Sequence, residues 1–137
     1  AASDVYKRQL LGKVHLTKTS HMIERKYTAM AINNVNEFLR KTFSETIFGT
    51  PALRPIAVCA DGFSLSIQAS SMHYCRPSKD LQDGDYSKVE LGNLSETVEE
   101  FLPYAENEAR PLFTVYGYVP IETVNAVLAK HGGIVNA

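Results

Sequence analysis

Thiol and imidazole chemistry in this sequence gathers at His73 and Cys75, with Cys59 earlier in the chain and His131 near its end. Deprotonated, both groups ligate zinc, and a thiol beside an imidazole can act as an activated nucleophile. The spacing argues against either use. Fifteen residues separate the two cysteines and no C-x-x-C pair occurs, so a zinc reading gains no support from the pattern. No third group is placed to orient a His73–Cys75 pair, and no loop offers an oxyanion site. Cys59 then reads as a small core thiol and His73 as a loop residue. Carboxylates are plentiful, but Glu96, Glu99, Glu100 and Glu106 follow one acidic segment and read as a solvated face. Asp80, Asp83 and Asp85 around Gly84 lack the twelve-residue ligand pattern of a calcium loop with its terminal glutamate. Gly132-Gly133 falls at the end of a predicted helix, the wrong terminus for a phosphate. No catalytic residue, metal site or cofactor is assigned, and the chain is read as a non-enzyme.

A softer constellation points to binding. Tyr116 and Tyr118 are expected on one face of a strand, and Ser64, Ser66 and Gln68 on the same side of a neighbouring hairpin. Tyr74, Arg76 and Arg110 would reach the rim from adjoining loops. Tyrosines, small polar groups and arginines suit stacking on a base together with bidentate contact to a phosphate. They also suit a protein interface, where Tyr and Arg are common anchors, or an ordinary wet sheet face buried against another subunit. The expectation rests on both strands turning their polar edges to a common open side.

The elements that must position these residues follow from periodicity. Asn33 or Asn34 caps a helix whose Val35, Phe38, Leu39 and Phe43 form an apolar stripe. Gly49, Pro51 and Pro55 then make a loop. The runs 55–60 and 63–68, joined by Asp61-Gly62, predict a two-residue hairpin. That register pairs Ala60 with Phe63, Val58 with Leu65 and Ile56 with Ile67 on a bulky face toward the helix, leaving Cys59, Ala57, Ser64 and Ser66 on the other. Residues 69–85 read as a long binding loop. Tyr86 to Leu91 predicts a strand with Val89 and Leu91 opposed to Lys88 and Glu90. Asn93 and Glu96 have capping-box spacing for a short acidic helix bearing Val98, Phe101 and Leu102 and stopped by Pro103. Leu112 to Val119 alternates as a strand, with Phe113, Val115 and Val119 on one face. Pro120 opens a last helix with Ile121, Val124 and Leu128 on one side, Lys130 and His131 in its last turn, and Gly132 as a left-handed cap. A weak edge strand is read around Val14 and Leu16. The order implies an α+β fold, mostly antiparallel sheet with helices packed on one face.

Composition sets the class. The chain is 45% hydrophobic and 21% charged with net charge −1, which fits a globular domain and implies no general attraction to nucleic acid or anionic membrane. No apolar run approaches a membrane span and no secretory signal is visible. Two cysteines do not make a disulfide framework. A cytoplasmic location with reduced thiols is expected.

Residues 1–9, Ala-Ala-Ser-Asp-Val-Tyr-Lys-Arg-Gln, resemble the in-frame translation of a transposase adapter used in preparing DNA sequencing libraries. That resemblance implies that residues 10–137 form the single domain, with a native start upstream of Leu10 or at Met22. The strings Cys59–Ser70, Tyr116–Pro120 and Lys130–Ile134 resemble small accessory proteins carried by phages and mobile elements of gut bacteria. The resemblance spans about residues 55–134 and brings no catalytic residue with it. It implies a bacterial host cell and a role in inhibiting host defence, either by binding a defence protein or by sequestering a nucleotide signal. Two alternatives stand beside this reading: a structural accessory protein that forms a homo-oligomer through its sheet, and a Cys/His enzyme.

Overall fold

A computed structural model describes residues 31–137; the adapter-like segment and the expected strand at Val14 and Leu16 lie outside them. The first element, α1 (Val35–Lys41), begins where the Asn34 side chain accepts from the Asn36 and Glu37 N–H groups at 2.9 and 3.3 Å. Val35, Phe38 and Leu39 are buried as the stripe predicts. The helix ends two residues short of Phe43, where the Thr42 hydroxyl donates back to the Phe38 carbonyl at 2.7 Å. Phe43 therefore falls beyond the helix and is only half-buried.

The hairpin forms with a different register. Strand β1 (Ala57–Val58) pairs with β2 (Ser64–Gln68) as Ala57 opposite Leu65 and Val58 opposite Ser64. The connection is a three-residue loop, Ala60-Asp61-Gly62, closed by Cys59 N–H to Phe63 O at 2.8 Å. Only Gly62 takes positive φ, at 92°, while the Asp61 carboxylate accepts from the Phe63 N–H at 2.9 Å. A two-residue turn would need both central residues at positive φ, and a non-glycine Asp61 avoids that cost. Slipping one residue turns every β1 side chain over. Ala57 and Cys59 point into the core, and Ile56 faces out.

Strand β3 (Lys88–Gly92) buries Val89 and Leu91 and turns Lys88 and Glu90 outward, as the alternation predicts. It pairs antiparallel with β2, Ile67 opposite Leu91, and with β4 (Tyr116–Pro120), Val89 opposite Val119. The sheet order is β1-β2-β3-β4. Ile134 widens it by bridging both Cys59 and Ile32. The predicted capped helix is a 3-10 helix, Glu99–Tyr104, with Pro103 inside it and no side-chain cap. Asn93 is instead left-handed at φ 49°, and Ser95 turns to hold Ser64, accepting from its N–H at 2.9 Å.

After Pro120 comes α2 (Ile121–Lys130), which buries Ile121, Val124, Val127 and Leu128. Asn125 ties it to α1 by accepting from the Val35 N–H at 2.9 Å. Both helices and Phe101 share one core with the inner sheet side chains Leu65, Ile67, Val89, Leu91 and Val119. The fold is α+β, a four-stranded antiparallel sheet with helices on its apolar face. Burying each large side chain contributes roughly 1.5–3 kcal/mol, so this shared core rather than any single polar contact sets the orientation of the opposite, open face.

Candidate functional site

Strand β4 is where the sequence expectation and the structure part most. Only residues 116–120 are strand. Leu91 stands opposite Tyr116 while Val89 stands opposite Val119, so β4 carries an extra residue at a bulge. A bulge resets alternation. Tyr116 consequently faces the core, not the open face expected for it. It is fully buried, packed edge-on to Phe101 with ring centroids 6.3 Å apart, and its hydroxyl donates to Pro111 O at 2.6 Å. Burial pushes its phenol above the ordinary range. Phe113, placed inside by the alternation, is 83% exposed.

The extra residue is absorbed at Tyr118, which sits at φ 54°. A bulky residue held left-handed costs on the order of 1–3 kcal/mol. Two contacts offset part of it. The Tyr118 N–H donates to Tyr74 O at 3.0 Å, and the Arg76 guanidinium lies 4.3 Å from the Tyr118 ring centroid. Tyr74 lies beside the same ring at 5.7 Å. Gly117 lets Tyr74 come this close, since a Cβ there would stand 3.3 Å from Tyr74 Cβ. Three of the expected residues, Tyr74, Arg76 and Tyr118, are thus brought together.

Ser66 and Gln68 do reach the open face, but in a separate groove of about 490 Å³. Its floor is polar: Ser66, Gln68, His73 and Glu90. Gln68 is itself buried, and its amide clamps residue 54. It accepts from the Arg54 N–H at 3.0 Å and donates to Arg54 O at 2.9 Å and to Ser66 Oγ at 3.0 Å. The Arg54 guanidinium turns inward to Ala69 O at 2.8 Å and Leu39 O at 3.1 Å, and burial lowers its pKa. One Glu90 carboxylate oxygen accepts from the Tyr74 N–H at 3.1 Å. Ser64 is half-buried and bound through its backbone to Ser95. Arg110 lies 5.9 Å from the Phe113 ring on the groove's rim. The one common face expected from sequence is therefore two sites, a groove holding Ser66 and Gln68 and a cluster holding Tyr74, Arg76 and Tyr118.

The groove walls are residues that sequence patterning missed. Leu53 and Ile56 stand on one side, Leu112 and Phe113 on the other. Leu53 is 73% exposed, and all four have large accessible apolar surface. Nearby in sequence, Glu45 pairs with Pro51 to close a small turn whose tip presents Ile47 and Phe48, 94% and 84% exposed. Leu53 lies in an irregular segment without periodicity, while the alternation placed Ile56 and Phe113 on inward faces that the hairpin slip and the β4 bulge turn out.

The thiol and imidazole groups do not converge on a reaction centre. Cys59 is fully buried, and burial, helped by the Asp61 carboxylate, pushes its thiol up to about 12. Cys75 is also buried and raised, with its thiol 3.1 Å from Ser70 O. A nucleophile needs the opposite shift. His73 Nδ1 shares a 2.7 Å hydrogen bond with Ser70 Oγ. His131 Nδ1–H donates to the Asp61 carboxylate at 2.6 Å, and its ring stacks on Phe63 at 4.2 Å, locking α2 to the hairpin loop. Among the described residues no three His, Cys, Asp or Glu side chains are grouped to hold a metal ion, and no helix is long and apolar enough to cross a membrane. No protein family, curated protein or solved structure matches the chain.

Proposed function

We propose that this protein is a non-enzymatic binding protein of a phage or mobile element that grips a host defence protein through the open face of its sheet and acts by occupancy. The observation that carries this reading is the groove, with exposed Leu53, Ile56, Leu112 and Phe113 above a floor of Ser66, Gln68 and Glu90. Contiguous exposed apolar surface rimmed by polar groups marks an interaction site. The Glu90 carboxylate gives the floor a negative acceptor, which suits a partner segment that pairs apolar side chains with a basic group or free N–H donors. Phe113 is of the aromatic type enriched at the cores of interfaces. Both thiols being buried and raised favours binding over Cys/His catalysis. The mobile-element setting comes from the sequence resemblance alone.

The test is affinity purification from the bacterial host, with any captured protein then purified and recombined. Leu53→Asp and Phe113→Asp change exposed positions, so both variants are expected to keep the wild-type melting temperature and lose the partner. A partner that binds both variants with unchanged affinity contradicts the reading. A wild-type dimer that Phe113→Asp splits, with no host protein bound, favours the homo-oligomer instead.

A further inference from the structure

Beyond the protein-binding groove, we propose a second site, on the Tyr118 bulge, that binds a mononucleotide, with its base against the tyrosines and its phosphate on Lys88 and Arg76. The cavity there is about 450 Å³ and is lined by Tyr74, Lys88, Tyr104, Glu106, Gly117 and Tyr118. That volume lies in the range of small-molecule sites. Three tyrosines, Tyr74, Tyr104 and Tyr118, line it, and phenol rings stack on and hydrogen-bond to bases. Lys88 is exposed and, among the described residues, neither it nor Arg76 has a carboxylate partner. Arg76 does not line the cavity itself; it spends one nitrogen on Cys75 O and Ser78 Oγ and stacks on the ring of Tyr118, a lining residue, which leaves its second terminal nitrogen to turn toward a bound phosphate. Two cations that have no carboxylate partner among the described residues suit a phosphate. Glu106 is the one acidic group in the lining, and it suits the amino group of a base or the hydroxyls of a sugar rather than the phosphate.

Glycine takes positive φ freely, yet the left-handed residue of this bulge is Tyr118 while the adjacent glycine is residue 117. Gly117 eases the close approach of Tyr74, since a Cβ there would stand 3.3 Å from Tyr74 Cβ. A tyrosine kept where glycine costs less points to a task for its ring, because strained positions collect at ligand sites.

Binding is read by titrating the protein with AMP and following tyrosine fluorescence, the chain having seven tyrosines and no tryptophan. Adenosine and inorganic phosphate are titrated separately, and CMP and GMP test the choice of base. A mononucleotide is expected to bind, and each half-ligand to bind at least about tenfold more weakly. Tyr118→Gly is expected to leave the melting temperature unchanged or raised while weakening binding about tenfold or more. Lys88→Gln, at an exposed position, is expected to weaken binding and flatten its salt dependence. Phe113→Asp, which breaks only the groove, should leave nucleotide affinity intact, so the two sites stand or fall separately. The proposal is overturned if none of the three mononucleotides binds at millimolar concentration, if Tyr118→Gly binds as the wild type does, or if Tyr118→Gly loses stability along with binding.

Discussion

Cys59 is enclosed between the hairpin loop and the C-terminal bridge at Ile134, and its thiol is held at about 12 against an ordinary 9.0, first by burial and then by the Asp61 carboxylate. The folded chain therefore keeps a proton that the unfolded chain releases above pH 9. Its stabilisation is complete below that pH and is lost as pH rises toward about 12. Cys75, Tyr86 and Tyr116 shift upward with burial as the leading cause, so they add to the same alkaline loss. Urea denaturation between about pH 8 and 11 is expected to show stability falling with pH, and Cys59→Ala is expected to flatten the slope. A slope unchanged in that variant would show that Cys59 is not protected as described. The same burial predicts that a thiol reagent at neutral pH labels neither cysteine in the folded protein and both after denaturation. Rapid labelling of the native chain would revive the thiol chemistry that the sequence left open. Tyr116 gives a third check at this scale. Removing its hydroxyl in Tyr116→Phe breaks the bond to Pro111 O and is expected to cost about 1 kcal/mol.

Among the elements, the contact of the α2 C-terminus with the hairpin loop is sensitive to substitution. Gly132 sits at φ 83°, and a Cβ there would lie 2.9 Å from Ala60 Cβ. Gly132→Ala is expected to cost at least about 1–2 kcal/mol in chemical denaturation, from the left-handed strain alone; a neutral result would contradict this cap. The cap was legible in sequence because glycine directly follows Lys130 and His131. Strand β3 and the buried stripe of α2 were legible for a similar reason, since both keep a regular period. The hairpin's existence could be read, but its register could not. Asp-Gly serves both a two-residue and a three-residue loop, and bulky Ile56 and Val58 looked like better core residues than Ala57 and Cys59. Phe63, Leu65 and Ile67 fill that side of the core, leaving room beside them only for small groups. In β4 the alternation failed at a bulge whose one sign in the sequence is the isolated Gly117. The same bulge buried Tyr116 and isolated Tyr118, so the residue types of the site were legible while their grouping was not.

At the scale of the molecule, among the described residues, the apolar face is closed by α1 and α2, and the opposite face carries a groove and a tyrosine cluster instead of a uniform wet surface. An exposed Phe113 and Leu53 are costly to leave in water and contribute to binding when covered. The central claim is that a partner covers them. Amide hydrogen exchange on the purified complex tests this most directly. Slowed exchange, relative to the free protein, is expected in peptides spanning 53–57 and 112–116, with residues 121–130 of α2 unchanged. Protection confined to α2 or to the C-terminal segment, with both groove walls exchanging as in the free protein, would contradict it.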